Sequence, residues 1–270
     1  MRREFKGFLR ALIATVALLM TTQTAQAEVS ANEKEAKLKL VRLAYDTGYF
    51  AEELTKAYLY KGNHVAVRQA SKEIKESPKA FEEAYKVLNQ SINDPKNKNL
   101  LLFMKMSYDE LLDMTKQPYS LDNAQIALDL SATVLEGARF IANSQKESIG
   151  FQNKHVLNGF SIYFESIAKY YIAYQAGIKD DNTIKLMKET VKNAGDAIET
   201  LAKSPHNTVA MNQKMTKVQR LWGIVYKFYL DIDKGGLPFI VFKTSNDLAN
   251  TIKSYELDME KVMNLDKGTK

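Results

Sequence analysis

The 270-residue chain contains no cysteine, only five prolines and twelve glycines, three histidines and one tryptophan. Without cysteine it can form neither disulfide bonds nor thiolate–zinc sites, so the fold depends on its core alone. The histidines, His64, His155 and His206, are separated by 91 and 51 residues, and no metal-binding spacing results. Neither a nucleophile motif nor a glycine-rich phosphate loop is present. We therefore predict no catalytic residues, no metal and no cofactor, and hence a protein that is not an enzyme.

The first 27 residues have the pattern of a secretory signal sequence. Basic residues precede an apolar stretch of about ten residues, 11–20, and Ala25 and Ala27 form a small-x-small cleavage site. The apolar stretch is too short to span a bilayer. We expect cleavage after Ala27, no membrane insertion and a periplasmic location, with secretion from the cell and an uncleaved anchor as the alternatives.

The formal charge of +6 overstates the basic character of the mature chain. Of 38 basic and 32 acidic residues, four and one lie in the first 27, which leaves 34 basic and 31 acidic residues, net +3. Nucleic-acid binding needs a concentrated basic face, which such a balance does not provide. We expect no nucleic-acid partner.

Apolar residues recur at alternating spacings of three and four along most of the mature chain, as in the run from Ile184 to Leu201. This spacing is typical of helices packed in a bundle. Turn sequences separate eight such segments, and in the second segment Pro78 predicts a kink or a restart with Ser77 as cap. The predicted helices are 33–61, 64–92, 97–116, 121–148, 150–177, 181–203, 207–233 and 239–264.

The chain resembles two copies of one unit. Lys56-Ala57-Tyr58-Leu59 is matched 113 residues later by Lys169-Tyr170-Tyr171-Ile172, and Leu88 by Leu201 at the same offset. After one extra residue the offset is 114, as for Ser131 and Ser245. A nearly constant offset predicts an internal duplication. We therefore divide the chain into a signal peptide (1–27) and two four-helix units, 28–148 and 149–270.

The predicted fold class is all-α, with two tandem antiparallel four-helix bundles. The joint between them, residues 143–154, contains no proline and only Gly150. Helices four and five can therefore continue as one long helix that joins the bundles end to end. Side-by-side packing would instead need a sharp break near Gly150.

Several helical motifs of the chain are typical of a known family. They are the two Lys-x-Tyr-aliphatic segments, a second helix ending in Phe81-Glu82-Glu83-Ala84-Tyr85-Lys86-Val87-Leu88, a turn at 204–208, a third helix centred on Trp222, and a fourth running from Leu237-Pro238-Phe239 through Ser245-Asn246-Asp247-Leu248 to Tyr255-Glu256. In these motifs each half resembles the PilJ-type domain, the periplasmic sensor module of type IV pili methyl-accepting chemotaxis transducers. Related modules sense nitrate or nitrite in histidine kinases. The match is best over 155–264 and weaker over 35–145.

One departure from that family bears on the ligand. Nitrate- and nitrite-sensing members carry an arginine-rich first helix, whereas the matching stretches here, 44–53 and 157–166, contain no arginine. Guanidinium groups suit planar oxyanions because their donors bind them bidentately. Glu52, Glu53 and Glu165 would repel an anion instead. We do not expect nitrate sensing by that mode.

Aromatic residues crowd helices one and five on more than one face. Either they form plain core, or they line a ligand pocket or protein interface between these helices. For a pocket, the predicted ligand-binding residues are Lys56, Tyr58, Lys169 and Tyr171, which hold equivalent places in the two halves. Trp222 is expected to anchor the core. Glu73, Glu76, Glu82 and Glu83 are expected on polar helix faces.

No transmembrane helix or signalling region follows the second unit, so we expect the protein to act by binding. The predicted function is a soluble periplasmic sensory, ligand-binding or accessory protein that signals through a small ligand or a membrane-anchored receptor. It could also form a homodimer. The alternative is a structural adaptor or scaffold in an envelope assembly, a pilus or secretion machinery, without a small ligand.

Overall fold

The computed structural model describes the backbone of residues 2–148 and 159–265, and the side chains of residues 32–148 and 159–262. Within these ranges the chain is entirely helical apart from turns, which confirms the all-α prediction. The elements are α1 (Arg2–Gly62), α2 (Val67–Ser91), α3 (Pro95–Met114), α4 (Leu121–Ser148), α5 (Ser161–Gln175), α6 (Asp181–Ala202), α7 (Val209–Leu230), a 3₁₀ turn (Ile232–Lys234) and α8 (Pro238–Leu265). The side chains of the predicted signal sequence, up to the cleavage site after Ala27, lie outside the described residues. Among the placed residues, no helix combines the length and apolarity needed to cross a bilayer.

Helix starts follow the capping residues in the sequence. The Asp94 carboxylate accepts a hydrogen bond from the backbone N–H of Asn97 at 2.8 Å, and Pro95 occupies the first position of α3. The Asp180 carboxylate accepts from the backbone N–H of Thr183 at 2.9 Å at the start of α6. Each bond satisfies an N–H group that the helix itself leaves without a partner. The predicted breaks before α3 and α6 therefore have a local cause.

The second helix continues through Pro78 as one element, so of the two predicted outcomes, a kink or a restart, the restart is wrong. The Ser77 hydroxyl donates to the carbonyl oxygen of Glu73 at 2.8 Å, one turn earlier, and does not cap a new helix. Packing of α2 along α1 holds the helix together across the proline.

Helices α1 and α5 form the centre of the molecule. Residues 51–60 of α1 are buried except for the partly exposed Glu53, and residues 161–174 of α5 are buried except for Tyr163. A helix that is apolar all round needs neighbours on every side. Accordingly α1 packs against α2, α4 and α5, and α5 packs against α1, α6 and α8. The aromatic residues of these two helices are thus mainly core residues.

The predicted continuous helix between the two units is absent. Helix α4 ends at Ser148 and α5 begins at Ser161 rather than at residue 150, while residues 149–158 lie outside the described part. Gly159 has φ +62°, a left-handed conformation that interrupts a helix and that glycine adopts at little cost. A Cβ at this position would lie 2.6 Å from the ring of Tyr45, so glycine also fits the space. Helix α5 therefore lies alongside α1 instead of extending α4.

Candidate functional site

Four charged side chains meet between α1 and α5, in the interior of the protein. Glu52 and Lys56 of α1 and Glu165 and Lys169 of α5 are each at most 1% exposed. Lys169 Nζ lies 2.7 Å from Glu52 Oε1, and Lys56 Nζ lies 2.5 Å from Glu165 Oε2. Because the earlier residue of each helix pairs with the later residue of the other, α1 and α5 run antiparallel here.

The two ion pairs are reciprocal. Glu165 follows Glu52 by 113 residues, and Lys169 follows Lys56 by the same number, which is the offset of the predicted duplication. A Glu and a Lys four residues apart normally pair along one exposed helix face. Here the Glu of each helix pairs with the Lys of the other helix, Glu52 with Lys169 and Glu165 with Lys56. This reciprocity is the contact pattern of a two-fold symmetric interface.

The pair around Lys169 is electrically balanced. The ammonium group also donates to the Ser131 hydroxyl at 2.9 Å, and the Ser166 hydroxyl donates to Glu52 Oε2 at 2.6 Å. Burial by itself lowers the pKa of Lys169, but the carboxylate of Glu52 outweighs it, so the pKa is raised overall. Lys169 is therefore a buried, protonated and hydrogen-bonded cation.

The pair around Lys56 is surrounded by excess acid. Besides Glu165, the Lys56 ammonium lies 3.2 Å from Glu73 Oε2 and donates to Asn246 Oδ1 at 2.5 Å. The Asn246 amide in turn donates to Glu73. Glu53 borders the same cluster, and its counterpart in the second half is Ser166. One ammonium group thus faces three carboxyl groups, whereas Lys169 faces one.

This imbalance shifts the ionisation of the acids. Burial raises the pKa of Glu165 to about 7; the Lys56 ammonium opposes the rise, and the charges of Glu53 and Glu73 add to it. Burial likewise raises the pKa of Glu73. The pKa of Lys56 is also raised, because the surrounding carboxylates outweigh the lowering effect of burial. Lys56 therefore stays charged, while Glu165 retains a proton up to near-neutral pH.

The structure separates the four predicted ligand-binding residues. Lys56 and Lys169 come together in the buried ion-pair cluster between α1 and α5. Tyr58, near the end of α1, points to the turn before α4, where its hydroxyl donates to the carbonyl oxygen of Pro118 at 3.4 Å. The Tyr171 hydroxyl lies against Gly236 in the turn before α8.

The expected position of Glu73 on a polar face is wrong. Its side chain is buried in the Lys56 cluster, because α2 turns this residue toward α1 and α8. Glu76 and Glu82 are exposed as predicted, with Glu82 pairing with Lys105 at 3.0 Å.

A groove with a volume of about 570 Å³ lies between α6 and α7, next to the 3₁₀ turn. Sequence reasoning did not point to it. Its wall is rich in aromatic and aliphatic side chains, and a few charged groups stand among them. The lining residues are Tyr174, Thr183, Ile184, Met187, Lys188, Val191, Lys192, Gly195, Asp196, Trp222, Tyr226, Tyr229, Leu230, Ile232 and Asp233.

Trp222 has a different environment from the one predicted. Its ring packs on the core, 6.0 Å from the ring centroid of Phe164, but it is only partly buried and forms part of the groove wall. The rings of Tyr226 and Tyr229 lie 5.4 and 5.8 Å away. Opposite, Gly195 has no side chain, and a Cβ there would lie 4.0 Å from the Trp222 ring. The glycine therefore helps to keep the groove open.

Polar groups of the groove are mostly held in place. The Tyr174 hydroxyl donates to the carboxylate of Asp233. Lys192 pairs with Asp196 at 3.0 Å. The Tyr229 hydroxyl is hydrogen-bonded to Ser245 at 2.7 Å, which fixes the ring of Tyr229 in the wall. The site is thus largely preformed, as ligand pockets usually are.

Neither histidines nor acids form a metal centre in the described part of the chain, where no group of potential ligands comes together. His64 and His206 lie in turns and are exposed, and His155 lies outside the described residues.

No protein-family model matches this chain, and comparison with the curated proteins and with the solved structures found no match either. The resemblance to PilJ-type domains therefore stays a prediction. Function has to be inferred from the ion-pair cluster and the groove.

Proposed function

We propose that this protein is a periplasmic sensory or accessory protein that binds a small molecule in the groove between α6 and α7. The supporting observation is the groove itself. Its volume of about 570 Å³ falls within the range of about 300–1,000 Å³ found for small-molecule sites. An apolar, aromatic wall with a few placed polar groups is the usual composition of such sites. No step of catalysis is part of this function.

A bound ligand would contact residues that pack directly on the central helix α5. Trp222 touches Phe164, the neighbour of Glu165, and the Tyr229 ring lies 6.1 Å from the ring of Tyr171. Movement of either ring would therefore shift α5 relative to α1, where the ion pairs hold the two helices together. Small helix shifts of this kind are a common way to pass on a binding event. In this role the protein would report to a membrane-anchored receptor by contact.

We further propose that residues 28–148 and 149–270 are duplicated PilJ-like four-helix units. The equivalent positions of the two Glu-x-x-x-Lys segments support the duplication, and the all-helical fold agrees with the family. The loss of the arginine motif argues for a ligand other than nitrate or nitrite.

A ligand screen tests the proposed function. Trp222 is the only tryptophan of the chain, so its fluorescence reports on the groove without labelling. The purified protein is screened against amino acids, polyamines, organic acids and small anions by thermal shift and by Trp222 fluorescence. A ligand at 100 times its Kd should raise Tm by roughly 5–10 °C in a chain of this size.

Two glycine variants locate the binding site. Gly195→Leu places a side chain against Trp222 and should abolish binding, whereas Gly223→Leu, on the exposed face of α7 where a Cβ meets nothing within 4 Å, should not. A hit that survives Gly195→Leu, or the absence of any hit, would contradict ligand binding in this groove.

The adaptor alternative is supported by an apolar face on α3. Leu102, Phe103 and Met106 lie next to one another on this helix and are 57%, 54% and 62% exposed. Exposed apolar side chains that cluster on one face mark protein contact sites. A photo-crosslinker at Phe103 should capture an envelope protein in cells, while one at the exposed Asn193 of α6 should not. Equal labelling from both positions would exclude a docking role for this face.

A further inference from the structure

We propose that the α6–α7 groove selects an amphipathic organic cation, an amine or quaternary ammonium group carried on an apolar body. This inference rests on the proposed ligand-binding function and names the chemical class of the ligand.

The aromatic side chains supply the first reason. Trp222 stands between Tyr226 and Tyr229, with ring centroids 5.4 and 5.8 Å from its own, and Tyr174 completes the set on the α5 side. The faces of aromatic rings carry negative electrostatic potential, and tryptophan binds cations most strongly. Several rings around one site form the type of cage that recognises quaternary ammonium groups.

The ring of Tyr174 already contacts a cation of the chain itself. Lys179 places its ammonium group 4.8 Å from the centroid of the Tyr174 ring. A cation from the chain itself thus lies on one of the rings that contribute to the groove. A ligand cation would use the same interaction on the neighbouring rings.

Charge in the groove supplies the second reason. Asp196 pairs with Lys192, whereas the Asp233 carboxylate accepts a hydrogen bond from the neutral hydroxyl of Tyr174. Lys188 is the opposing charge, on an exposed side chain whose flexible stem lets the ammonium group move into solvent. Of the two carboxylates in the groove lining, Asp233 is thus the one that pairs with no lysine in the described part of the chain, which leaves it available to a ligand cation.

Size supplies the third reason. The groove volume of about 570 Å³ is larger than a small ammonium ion needs. Aliphatic side chains such as Met187 and Val191 also line the groove, beside the aromatic rings. Burial of an apolar body against these side chains would add affinity in proportion to its area. The ligand should therefore carry a ring or an alkyl group beside its cationic head.

Three probes built on the same benzene ring separate the ligand classes. Benzyltrimethylammonium, benzyl alcohol and benzoate share a benzene ring and differ in charge. Binding is measured by Trp222 fluorescence on the intact chain. We expect the cation to bind at least about tenfold more tightly than either counterpart.

One substitution and its control test the role of the carboxylate. Asp233→Asn keeps an oxygen that can accept from Tyr174 but removes the charge, and it should lower the preference for the cation to about threefold or less. Asp231→Asn, two residues away on an exposed residue that pairs with Lys234, should leave the preference unchanged. Equal thermal unfolding of both variants would show that the fold is intact.

The outcomes distinguish the two proposals. If benzyl alcohol or benzoate binds as tightly as the cation and binding is lost in Gly195→Leu, the groove is a ligand site but the proposal that it selects cations is wrong. If no probe of any charge changes the fluorescence and the broader screen is also empty, the proposed function fails as well.

Discussion

Replacement of Lys169 by methionine would test whether the buried ion pairs hold the two central helices together. Methionine has nearly the same length and shape but no charge. The carboxylate of Glu52, at 0% exposure, would lose the ammonium group that contacts it at 2.7 Å. The hydroxyl of Ser166 would remain as a hydrogen-bond donor to it.

The expected cost follows from two opposing terms. Coulomb's law with an effective dielectric constant of about 20 gives an attraction of about 6 kcal/mol at 2.7 Å. Desolvation of the two ions costs several kcal/mol each, so the intact pair contributes little net stability. Removal of one partner leaves the other charge buried alone, which destabilises by about 3–5 kcal/mol.

The double variant should therefore lose much less free energy of unfolding than the two single variants lose in sum. With Glu52→Gln and Lys169→Met together, no unpaired charge stays at this position. We expect the double variant to lie within about 2 kcal/mol of the wild type, whereas each single variant loses about 3–5 kcal/mol. Urea unfolding followed by circular dichroism gives all four free energies of unfolding.

A matched exposed pair provides the control. Glu199, in the last turn of α6, pairs with Lys203, the residue that follows the helix; the side chains are 67% and 71% exposed. Their substitution should change stability by less than about 1 kcal/mol. If Lys169→Met costs no more than this control, or if the double variant loses the full sum, the ion-pair interface is not a coupled element of the core.

Two further predictions concern Glu165 in this interface and two glycines elsewhere in the fold. Because the pKa of Glu165 is raised from 4.5 to about 7, the folded state binds a proton that the unfolded state releases; the free energy of unfolding should therefore fall as pH rises from about 4.5 to 7, and chemical denaturation at a series of pH values should show less of this fall in Glu165→Gln. Gly236→Ala should destabilise the protein by more than about 1 kcal/mol, since its Cβ would lie 1.5 Å from the Tyr171 hydroxyl. Gly223→Ala, with open space around it, should instead stabilise α7 by about 0.5–1 kcal/mol. Thermal unfolding would contradict this reasoning if the Tm of both variants shifts in the same direction.

Helices were predictable from the sequence because their apolar spacing and their caps are local. The spacing of α6 and the cap at Asp180 define that helix without reference to the rest of the chain. The restart predicted at Pro78 was wrong because packing of α2 on α1 is not local. The continuation of helix four into five was wrong for a related reason: the left-handed backbone of Gly159 and its contact with Tyr45 become apparent only in the folded chain.

The ion-pair cluster was partly visible in the sequence. Lys56 and Lys169 were singled out by their equivalence, but a Glu four residues before each Lys suggests an exposed pair. The overlooked signal is that residues 51–60 and 161–174 have no polar face on which such a pair could be solvated. Charged residues in a helix of that kind have to be buried and have to find partners on another helix.

The groove could not be predicted in the same way. It depends on how far α6 stands from α7, and that distance results from packing between segments distant in sequence. Gly195 was the available signal, since a glycine inside a regular helix costs stability and usually has a packing reason. Its relation to Trp222 becomes apparent only when both helices are placed.

The reciprocal pairing of Glu52 with Lys169 and of Lys56 with Glu165 has a consequence for assembly. Each central helix carries both the acid and the base that the other one needs, so a chain of half this length could associate with an identical copy through the same four groups. Covalent linkage of the two copies replaces that encounter with an intramolecular one, at an effective concentration in the millimolar range. An interface that would be too weak to hold separate subunits together can then remain closed in one chain, and modest forces suffice to rearrange it.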